Sequence, residues 1–204
     1  MEIYTDIDQQ SPEWFTLRIG SIGGSSISKA VSGGQGKMKT QLLYDLVGEI
    51  LSGEKKSGYA NHEMQEGIKY EPEARRLYEF LNDVEVRQVA LVKMSEHKHC
   101  SPDGLLDPDG MIEIKTLIPS RFVEFKATGG IETAYRKQMQ WGMWICERQW
   151  CDYACYSPYV ARKVDPLHVI RVERDDKEIK VLDEGANAFI EEMKNLLLQI
   201  LKGG

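Results

Sequence analysis

Two short segments in the middle of the chain combine acidic residues and a lysine in a pattern suited to phosphodiester hydrolysis. Asp103 lies in residues 101–104 (SPDG), and Glu113 and Lys115 lie in an EIK triplet that begins ten residues after it. Mg²⁺ binds oxygen ligands, usually one or two carboxylates together with water and substrate phosphate. A lysine beside such carboxylates can position or help deprotonate an attacking water and offset charge in the transition state. The pattern therefore predicts a metal-dependent nuclease centre, with an exposed strand carrying an incidental Glu–Lys pair as the alternative.

The residues around these segments predict a β-hairpin. Residues 111–118 (MIEIKTLI) alternate as a strand does, which puts Glu113 and Lys115 on one face. Residues 107–110 (DPDG) form a turn sequence, since proline presets one backbone angle and glycine is free to take a positive one. A hairpin that closes at this turn brings Asp103 beside Glu113, so that two carboxylates and a lysine converge at one end of a sheet.

A second candidate site lies near the N-terminus. Ser11 is expected to cap a helix that places Trp14 and Arg18, four residues apart, on one face. The small-residue turn that follows leads into a short helix, with Ser25 or Ser26 as its expected cap. Free N–H groups at a helix N-terminus beside an arginine can bind phosphate. On these residues alone, a structural loop with a surface arginine is the favoured interpretation, and the phosphate site is the alternative.

A third acidic residue, Glu71, borders the apolar face of a helix predicted over residues 59–81. Pro72 follows it directly, and a proline at this position either kinks the helix or marks a restart with Glu71 near the new N-terminus. A glutamate at such a position is usually only an acidic residue at a helix terminus, with no catalytic role. Beside a metal site, Glu71 becomes a third candidate ligand.

Four cysteines require a choice between a metal cluster and the core. They are Cys100, Cys146, Cys151 and Cys155. Their spacing lacks the two-residue separation typical of cysteine metal sites. Cys151 and Cys155 also share one face of a strand predicted over residues 150–157, and free cysteines commonly pack as small core residues. We therefore expect four buried thiols and no iron–sulfur cluster.

Composition sets broad limits on the class of protein. The chain has 204 residues, of which 42% are hydrophobic and 28% charged, as in an ordinary soluble domain with one well-filled core. No apolar run approaches the roughly 20 residues of a membrane helix, and the acidic N-terminus lacks the features of a signal peptide. The expected location is therefore the cytoplasm, with no membrane partner. A net charge of −6 argues mildly against a non-specific nucleic-acid coat protein, but not against a metallonuclease.

The order of predicted elements indicates an α/β fold with a mixed central sheet flanked by helices, in one domain over residues 1–204. Helices are predicted over residues 38–51, 59–81, 134–147 and 175–201, the last as one helix or a pair. Strands are predicted over residues 85–94, in the segment before Asp103, and over residues 111–118, 150–157 and 167–174. The strands that precede residue 118 are consecutive and are expected to form an antiparallel meander.

Five segments in the same order carry a resemblance to a known family. They are WFTLRIGSIGGSSIS, EGIKYEPEARRLYEF, CSPDGLLDPDGMIEIKT, AYRKQMQWGMW and YSPYVARKVDPLHVIRVERD, which are spread over residues 14–175. In these segments the chain resembles the phage lambda exonuclease family, the YqaJ-type viral recombinase group of the PD-(D/E)xK nuclease superfamily. The resemblance implies a restriction-endonuclease-like core.

The resemblance also implies an activity and partners. It implies an alkaline exonuclease that digests double-stranded DNA in the 5′→3′ direction with Mg²⁺, for which Mn²⁺ can substitute. Such enzymes start at a 5′-phosphorylated end, release 5′-mononucleotides and leave 3′ single-stranded tails for a single-strand annealing protein in recombination. A homotrimer is implied as well, in the form of a closed three-fold ring that encircles DNA.

Matched positions give roles to the acidic segments. By resemblance, Asp103 and Glu113 are the main metal ligands, and the backbone carbonyl of Ile114 is a further candidate. Glu71 matches a second acidic contributor on the helix, where it would partly hold a second metal. Lys115 matches the lysine that orients or activates the nucleophilic water. The proline after the helix glutamate departs from the helix formers expected there and leaves the aim of that carboxylate open.

Other matched positions lie on the two helices around the site. Gln138 matches a helix glutamine near the lysine and the water, and Tyr135 precedes it at the expected spacing. Arg18 and Ser25 match a pocket that holds the 5′-phosphate, with Trp14 on the same helix face beside DNA.

Three other activities fit part of this pattern. An endonuclease on the same core is one, although the chain has no room for a separate sequence-reading domain. A helicase-associated nuclease with an iron–sulfur cluster is the second, and a catalytically inactive DNA-end clamp is the third. The retained carboxylates argue against the clamp, because they repel DNA and a protein that only binds DNA gains no affinity from them.

Overall fold

Strands and helices alternate along the chain largely as the apolar periodicity indicates. The computed structural model describes residues 1–33, 36–55, 62–160 and 163–203. In these ranges the strands are β1 (Glu2–Tyr4), β2 (Leu91–Ser95), β3 (Lys98–Cys100), β4 (Gly104–Leu106), β5 (Gly110–Thr116), β6 (Trp150–Tyr156) and β7 (Leu167–Glu173). The helices are α1 (Pro12–Leu17), α2 (Gly24–Ala30), α3 (Lys37–Ser52), α4 (His62–Asn82), α5 (Pro119–Thr128), α6 (Thr133–Ile145) and α7 (Asp176–Lys202). None of the helices in the described ranges combines the length and apolar content that crossing a membrane requires.

The predicted hairpin is present and opens a four-stranded sheet. β4 and β5 pair antiparallel, with Gly104 opposite Ile112, and a turn connects them as predicted. β5 then pairs in parallel with β6, and β6 pairs antiparallel with β7. A parallel pair needs a long crossover connection, which α5 and α6 provide. The sheet is therefore mixed, as the order of elements predicts.

A second, three-stranded sheet is absent from the sequence-based prediction. It has the order β1–β2–β3, and both of its pairings are antiparallel. The strand predicted over residues 85–94 begins only at Leu91, and the irregular residues before it contact the other sheet through a bridge between Arg87 and Leu105. β3 and β4 belong to different sheets, so the predicted meander is wrong at this step. β1 has three residues, too few for its alternation to be recognised.

One of the two outcomes expected for Pro72, a restart of the helix, is wrong. The helix runs through this proline without interruption, so it does not restart at Glu71. A proline inside a helix removes one backbone hydrogen bond. Ala74 and Tyr78, which are buried against the sheet, stabilise the helix beyond that point. Residues 59–61, the predicted first turn, lie outside the described residues, and α7 is one helix, not a pair.

Two local predictions around the short helices also change. Neither Ser25 nor Ser26 caps α2: the N-cap is Gly23, and the Ser26 hydroxyl accepts the Gly23 N–H at 3.0 Å. By contrast, Ser11 caps α1 as predicted and accepts the Trp14 N–H at 3.2 Å. Helix α5 has no counterpart among the predicted elements, although a proline at its start and a glycine just past its end are a usual signal.

Both faces of the central strand β5 are buried. On one face Met111 joins the larger core, which α6 and α7 also line, and on the other Ile112 and Ile114 join a smaller core shared with α4. All four cysteines are free and buried, as predicted. Glu113 and Lys115 therefore project from an enclosed strand, where a charged group needs a partner.

Candidate active site

Glu113 is the centre of the predicted catalytic group. Its side chain is 3% exposed, and its Oε1 accepts hydrogen bonds from Lys115 Nζ and Gln138 Nε2, each at 2.6 Å. Lys115 lies two residues further along β5, on the same face, and Gln138 comes from α6. The hairpin and the crossover helix thus bring these three predicted residues together.

Asp103 lies beside Glu113 because the hairpin places the residue before β4 opposite β5. Its Oδ2 accepts the backbone N–H of Ile114 at 2.7 Å. This bond ties the Asp103 carboxylate to the strand that carries Glu113. The structure thus assigns a role to the N–H of Ile114, whereas metal coordination by its carbonyl stays a prediction.

Glu71 reaches the same cluster from α4. It forms an ion pair with Arg75, one turn further along the helix, and Arg75 NH1 donates to Gln88 Oε1 at 3.0 Å. Burial is the largest cause that raises the pKa of Glu71; the charge of Asp103 raises this pKa further and that of Lys115 lowers it, so the three groups act on one another. Arg75 has no role in the sequence-based site, although its four-residue spacing from Glu71 is the usual signal of a helical ion pair.

The aromatic ring of Tyr135 lies close to the ammonium group of Lys115. Lys115 Nζ lies 4.9 Å from the centroid of the Tyr135 ring, and that ring lies 6.0 Å from the ring of Tyr153. A cation close to an aromatic face is attracted by about 0.5–2 kcal/mol. Tyr135 thus favours the position in which the ammonium group faces Glu113.

Burial raises the pKa of all three carboxyl groups. Removal from water is the largest cause in each, and the charge of Asp103 adds to it at both glutamates, whose pKa values rise to about 7 for Glu71 and about 7 for Glu113. Burial acts in the opposite direction on Lys115, but Glu113 and Asp103 outweigh it and raise the pKa of the lysine above its usual value. Lys115 is therefore a cation at neutral pH.

The donor set fits a hard divalent cation. Three carboxyl groups share two neighbouring cations, Lys115 and Arg75, and Mg²⁺ prefers oxygen donors of this kind. Across the described ranges, no group of three or more acidic, histidine or cysteine side chains is arranged so that it could hold a metal ion by itself.

The second candidate site is built on Trp14. This residue is 8% exposed, and its indole N–H donates to the carbonyl of Ala90 at 2.9 Å and to Ser101 Oγ at 3.1 Å. The guanidinium carbon of Arg18 lies 3.6 Å from the centroid of the Trp14 ring. Trp14 therefore supports Arg18, and its own contact with DNA stays a prediction.

His99 belongs to this second site and is not identified by the sequence pattern. Its side chain is buried, and Arg18 Nε donates to His99 Nε2 at 2.9 Å. The other ring nitrogen, Nδ1, lies 2.8 Å from Ser21 Oγ. The one signal in the sequence is that His99 lies two residues before the SPDG segment.

Two contacts link the elements that carry the candidate sites. Gly24, the first residue of α2, packs so closely on Gln138 that a Cβ on this glycine would lie 3.2 Å from Gln138 Cγ. Ser25 follows Gly24 and is exposed. On the other side, the bond from Trp14 to Ser101 ends two residues before Asp103. These contacts connect α2 to Gln138 and α1 to the segment that carries Asp103.

Comparison with known proteins identifies a family whose matched range includes the predicted site. The model of a family described as the YqaJ-like viral recombinase domain matches residues 13–149, more than half of the chain. This range contains every predicted site residue, from Trp14 to Gln138.

Solved structures share the fold. The chain is similar to LHK-Exo, an alkaline exonuclease from Laribacter hongkongensis, with 29% identity, 95% of this chain and 97% of that chain covered, and a TM-score of 0.86. The complex of LHK-Exo with dAMP gives a TM-score of 0.87 at the same identity and coverage. A phage-related exonuclease from Haemophilus somnus 129PT has the same fold, with 14% identity, 88% and 96% coverage and a TM-score of 0.69. These similarities confirm the predicted fold class, a restriction-endonuclease-like core with a mixed sheet and flanking helices.

One curated relative is shorter. The chain is 34% identical over 70 residues to a protein named ExoD from Escherichia coli (strain K12). The matched stretch is 34% of this chain and 78% of ExoD.

The raised pKa of Glu113 leads to a pH-dependent cost in stability. Between pH 4.5 and about 7 the unfolded state has released this proton, whereas the folded state keeps it, so the contribution of Glu113 to stability falls as pH rises. We expect Glu113→Gln to gain stability relative to the unaltered protein by up to about 3 kcal/mol between pH 5 and pH 8. The amide can still accept hydrogen bonds from Lys115 and Gln138.

Urea unfolding in metal-free buffer at four pH values would measure this difference. Using the difference between the two proteins cancels groups that do not interact with Glu113, such as His99, whose lowered pKa makes stability rise with pH. A difference that stays constant from pH 5 to pH 8 would mean that Glu113 ionises as it does in water.

Proposed function

Because the chain belongs to the YqaJ-like viral recombinase domain family, we propose that it is a Mg²⁺-dependent exonuclease that digests one strand of double-stranded DNA from its 5′ end. The observation that carries the proposal is the buried Glu113 carboxylate, held by Lys115 and Gln138 beside Asp103. The likeness to an alkaline exonuclease over nearly the whole chain supports a nuclease.

Asp103 and Glu113 are the residues that would hold the metal, with Glu71 as a further contributor. When bound, Mg²⁺ lowers the pKa of a coordinated water and neutralises charge on the phosphodiester, and Mn²⁺ can take its place. Gln138 fixes the direction of the Glu113 carboxylate through its amide. Arg75 does the same for Glu71 through their ion pair.

Lys115 positions the attacking water in this proposal. It stays protonated at neutral pH, because Glu113 and Asp103 raise its pKa, so it acts as a hydrogen-bond donor and positive charge and not as a base. Its ammonium group is fixed by Glu113 on one side and by Tyr135 on the other. A donor held in this way costs little reorganisation when charge develops on the phosphate oxygens.

Arg18 determines the direction of digestion in this proposal. Together with the exposed Ser25 at the start of α2, it binds the 5′-phosphate of the DNA end, while Trp14 supports the guanidinium. Because α2 packs on Gln138, the first phosphodiester of the strand then faces the carboxylates. Each cut releases one 5′-mononucleotide, and the complex of LHK-Exo with dAMP supports a site that accepts a product of this kind.

The family resemblance extends the proposal to assembly and partners. We propose one exonuclease domain over the whole chain, and three copies that form a closed ring around DNA. The 3′ single-stranded tails pass to a single-strand annealing protein in recombination. We propose the cytoplasm as the location of this activity.

Digestion of end-labelled DNA tests the reaction. With Mg²⁺ and linear 5′-phosphorylated duplex, we expect early release of the 5′ label as a mononucleotide, late release of the 3′ label, and no cleavage of a covalently closed circle. Cleavage of the circle would identify an endonuclease. Binding of ends without any release would identify a DNA-end clamp.

Lys115→Ala connects the reaction to this site. The variant should bind DNA and lose cleavage by roughly 10²–10³-fold, the usual effect of removing one hydrogen-bond donor that faces developing charge. Lys180→Ala, at an exposed position of α7, is the matched control and should digest normally.

Arg18→Ala tests the phosphate pocket. We expect slower digestion of 5′-phosphorylated ends and little change on 5′-hydroxyl ends, because a charged hydrogen bond of about 1.5–3 kcal/mol is lost from one substrate only. Initial rates on the two duplexes, which differ only in the end group, provide the measurement. Equal loss on both would remove Arg18 from phosphate recognition.

A further inference from the structure

His99 holds Arg18 in one orientation. The Arg18 guanidinium lies over the Trp14 ring at 3.6 Å and donates its Nε–H to His99 Nε2 at 2.9 Å. Arginine can only donate, so His99 Nε2 is the acceptor and the imidazole is neutral, with its proton on Nδ1. That proton is donated to Ser21 Oγ at 2.8 Å. Each ring nitrogen therefore has one defined role.

The imidazole is itself fixed by its surroundings. The His99 backbone N–H donates to the carbonyl of Ile22 at 3.0 Å, and its carbonyl accepts the indole N–H of Trp141 at 2.9 Å. Gly23 covers the ring so closely that a Cβ there would lie 2.5 Å from His99 Nε2. Burial, followed by the charge of Arg18, lowers the pKa of His99 well below its usual value, so the ring stays neutral.

Within the described part of the chain, Arg18 retains donors that no protein group uses. In the described ranges, Nε–H makes the one hydrogen bond of its side chain, and no carboxylate forms an ion pair with it. Glu49, whose charge acts on Arg18, is bonded to Lys55 Nζ at 2.6 Å and to the Gly20 N–H at 3.1 Å. A guanidinium held by neutral groups keeps its charge and its terminal N–H groups for an anion.

We propose that His99 is a positioning residue that aims Arg18 at the 5′-phosphate of the DNA end. This inference rests on the proposed function, which assigns that phosphate to Arg18. A neutral acceptor suits the task, because a carboxylate in its place would neutralise Arg18 and compete with the phosphate. An apolar side chain would leave Nε–H without a partner and release the long arginine side chain. His99 thus contributes to selectivity for phosphorylated ends without touching DNA.

His99→Leu, which removes the acceptor, tests the proposal. On 5′-phosphorylated linear duplex we expect kcat/KM to fall roughly 10- to 100-fold, mainly through KM, because a misplaced binding group has effects of this size. On 5′-hydroxyl duplex the variant should match the unaltered protein. His97→Leu is the matched control, because His97 bonds to the carbonyl of Gly20 at 2.9 Å and not to Arg18.

The same change in an Arg18→Ala background separates positioning from general stability. There His99→Leu should have no further effect on either duplex, since the group on which it acts is gone. Equal losses on both end groups, or a full additional loss in the Arg18→Ala background, would overturn the proposal. If the unaltered protein does not distinguish the two end groups, the phosphate pocket itself fails, and this inference fails with it.

A milder variant and a spectrum keep the proposal testable if His99→Leu does not fold. Ser21→Ala removes the acceptor of the Nδ1 proton and should give a smaller loss, again confined to 5′-phosphorylated ends. In ¹⁵N-histidine NMR spectra, the histidine whose Nε2 signal shifts in Arg18→Ala should be His99, neutral and with its proton on Nδ1. A proton on Nε2 of His99 would contradict the bond from Arg18.

Discussion

Much of the candidate site depends on one carboxylate buried inside the molecule. Glu113 lies on β5, a strand enclosed by apolar cores on both faces, and a charge there is costly unless it is paired and hydrogen-bonded. Lys115 and Gln138 supply the partners at the same oxygen. One partner comes from the same strand and the other from α6, so the bond to Gln138 also ties the crossover helix to the hairpin.

Among the described residues, the cluster around Glu113 contains three carboxyl groups but only two neighbouring cations, Lys115 and Arg75. The pKa values of Glu71 and Glu113, both about 7, are the consequence of burial and of repulsion by Asp103. In the proposed function a divalent cation relieves this repulsion when it displaces the protons, so that metal binding, protonation and stability are linked. A site of this kind is less stable without metal than a core of apolar residues would be.

Arg18 is surrounded in the opposite way from Lys115. Carboxylates surround Lys115 and use its charge, whereas the neutral groups Trp14 and His99 hold Arg18 and leave its charge available. The contrast separates a cation that balances the buried acids from a cation that can receive an anion. The contact of Gly24 with Gln138 links α2, which follows Arg18 in the chain, to α6, which carries a partner of Glu113.

Neighbouring residues suffice to predict the hairpin, its turn, the shared face of Glu113 and Lys115, and the cap of α1, because alternation and turn chemistry are local properties of the chain. The resemblance to the family added residues on the helices, such as Gln138 and Tyr135, and in the folded chain these two lie beside Glu113 and Lys115. The second sheet, the Gly23 cap and the bond from Arg18 to His99 become visible only in the folded chain. Arg18 and His99 are 81 residues apart, and their bond exists because β3 lies under the junction of α1 and α2. No local pattern records such a contact, since it depends on which surfaces pack together once the whole chain has folded.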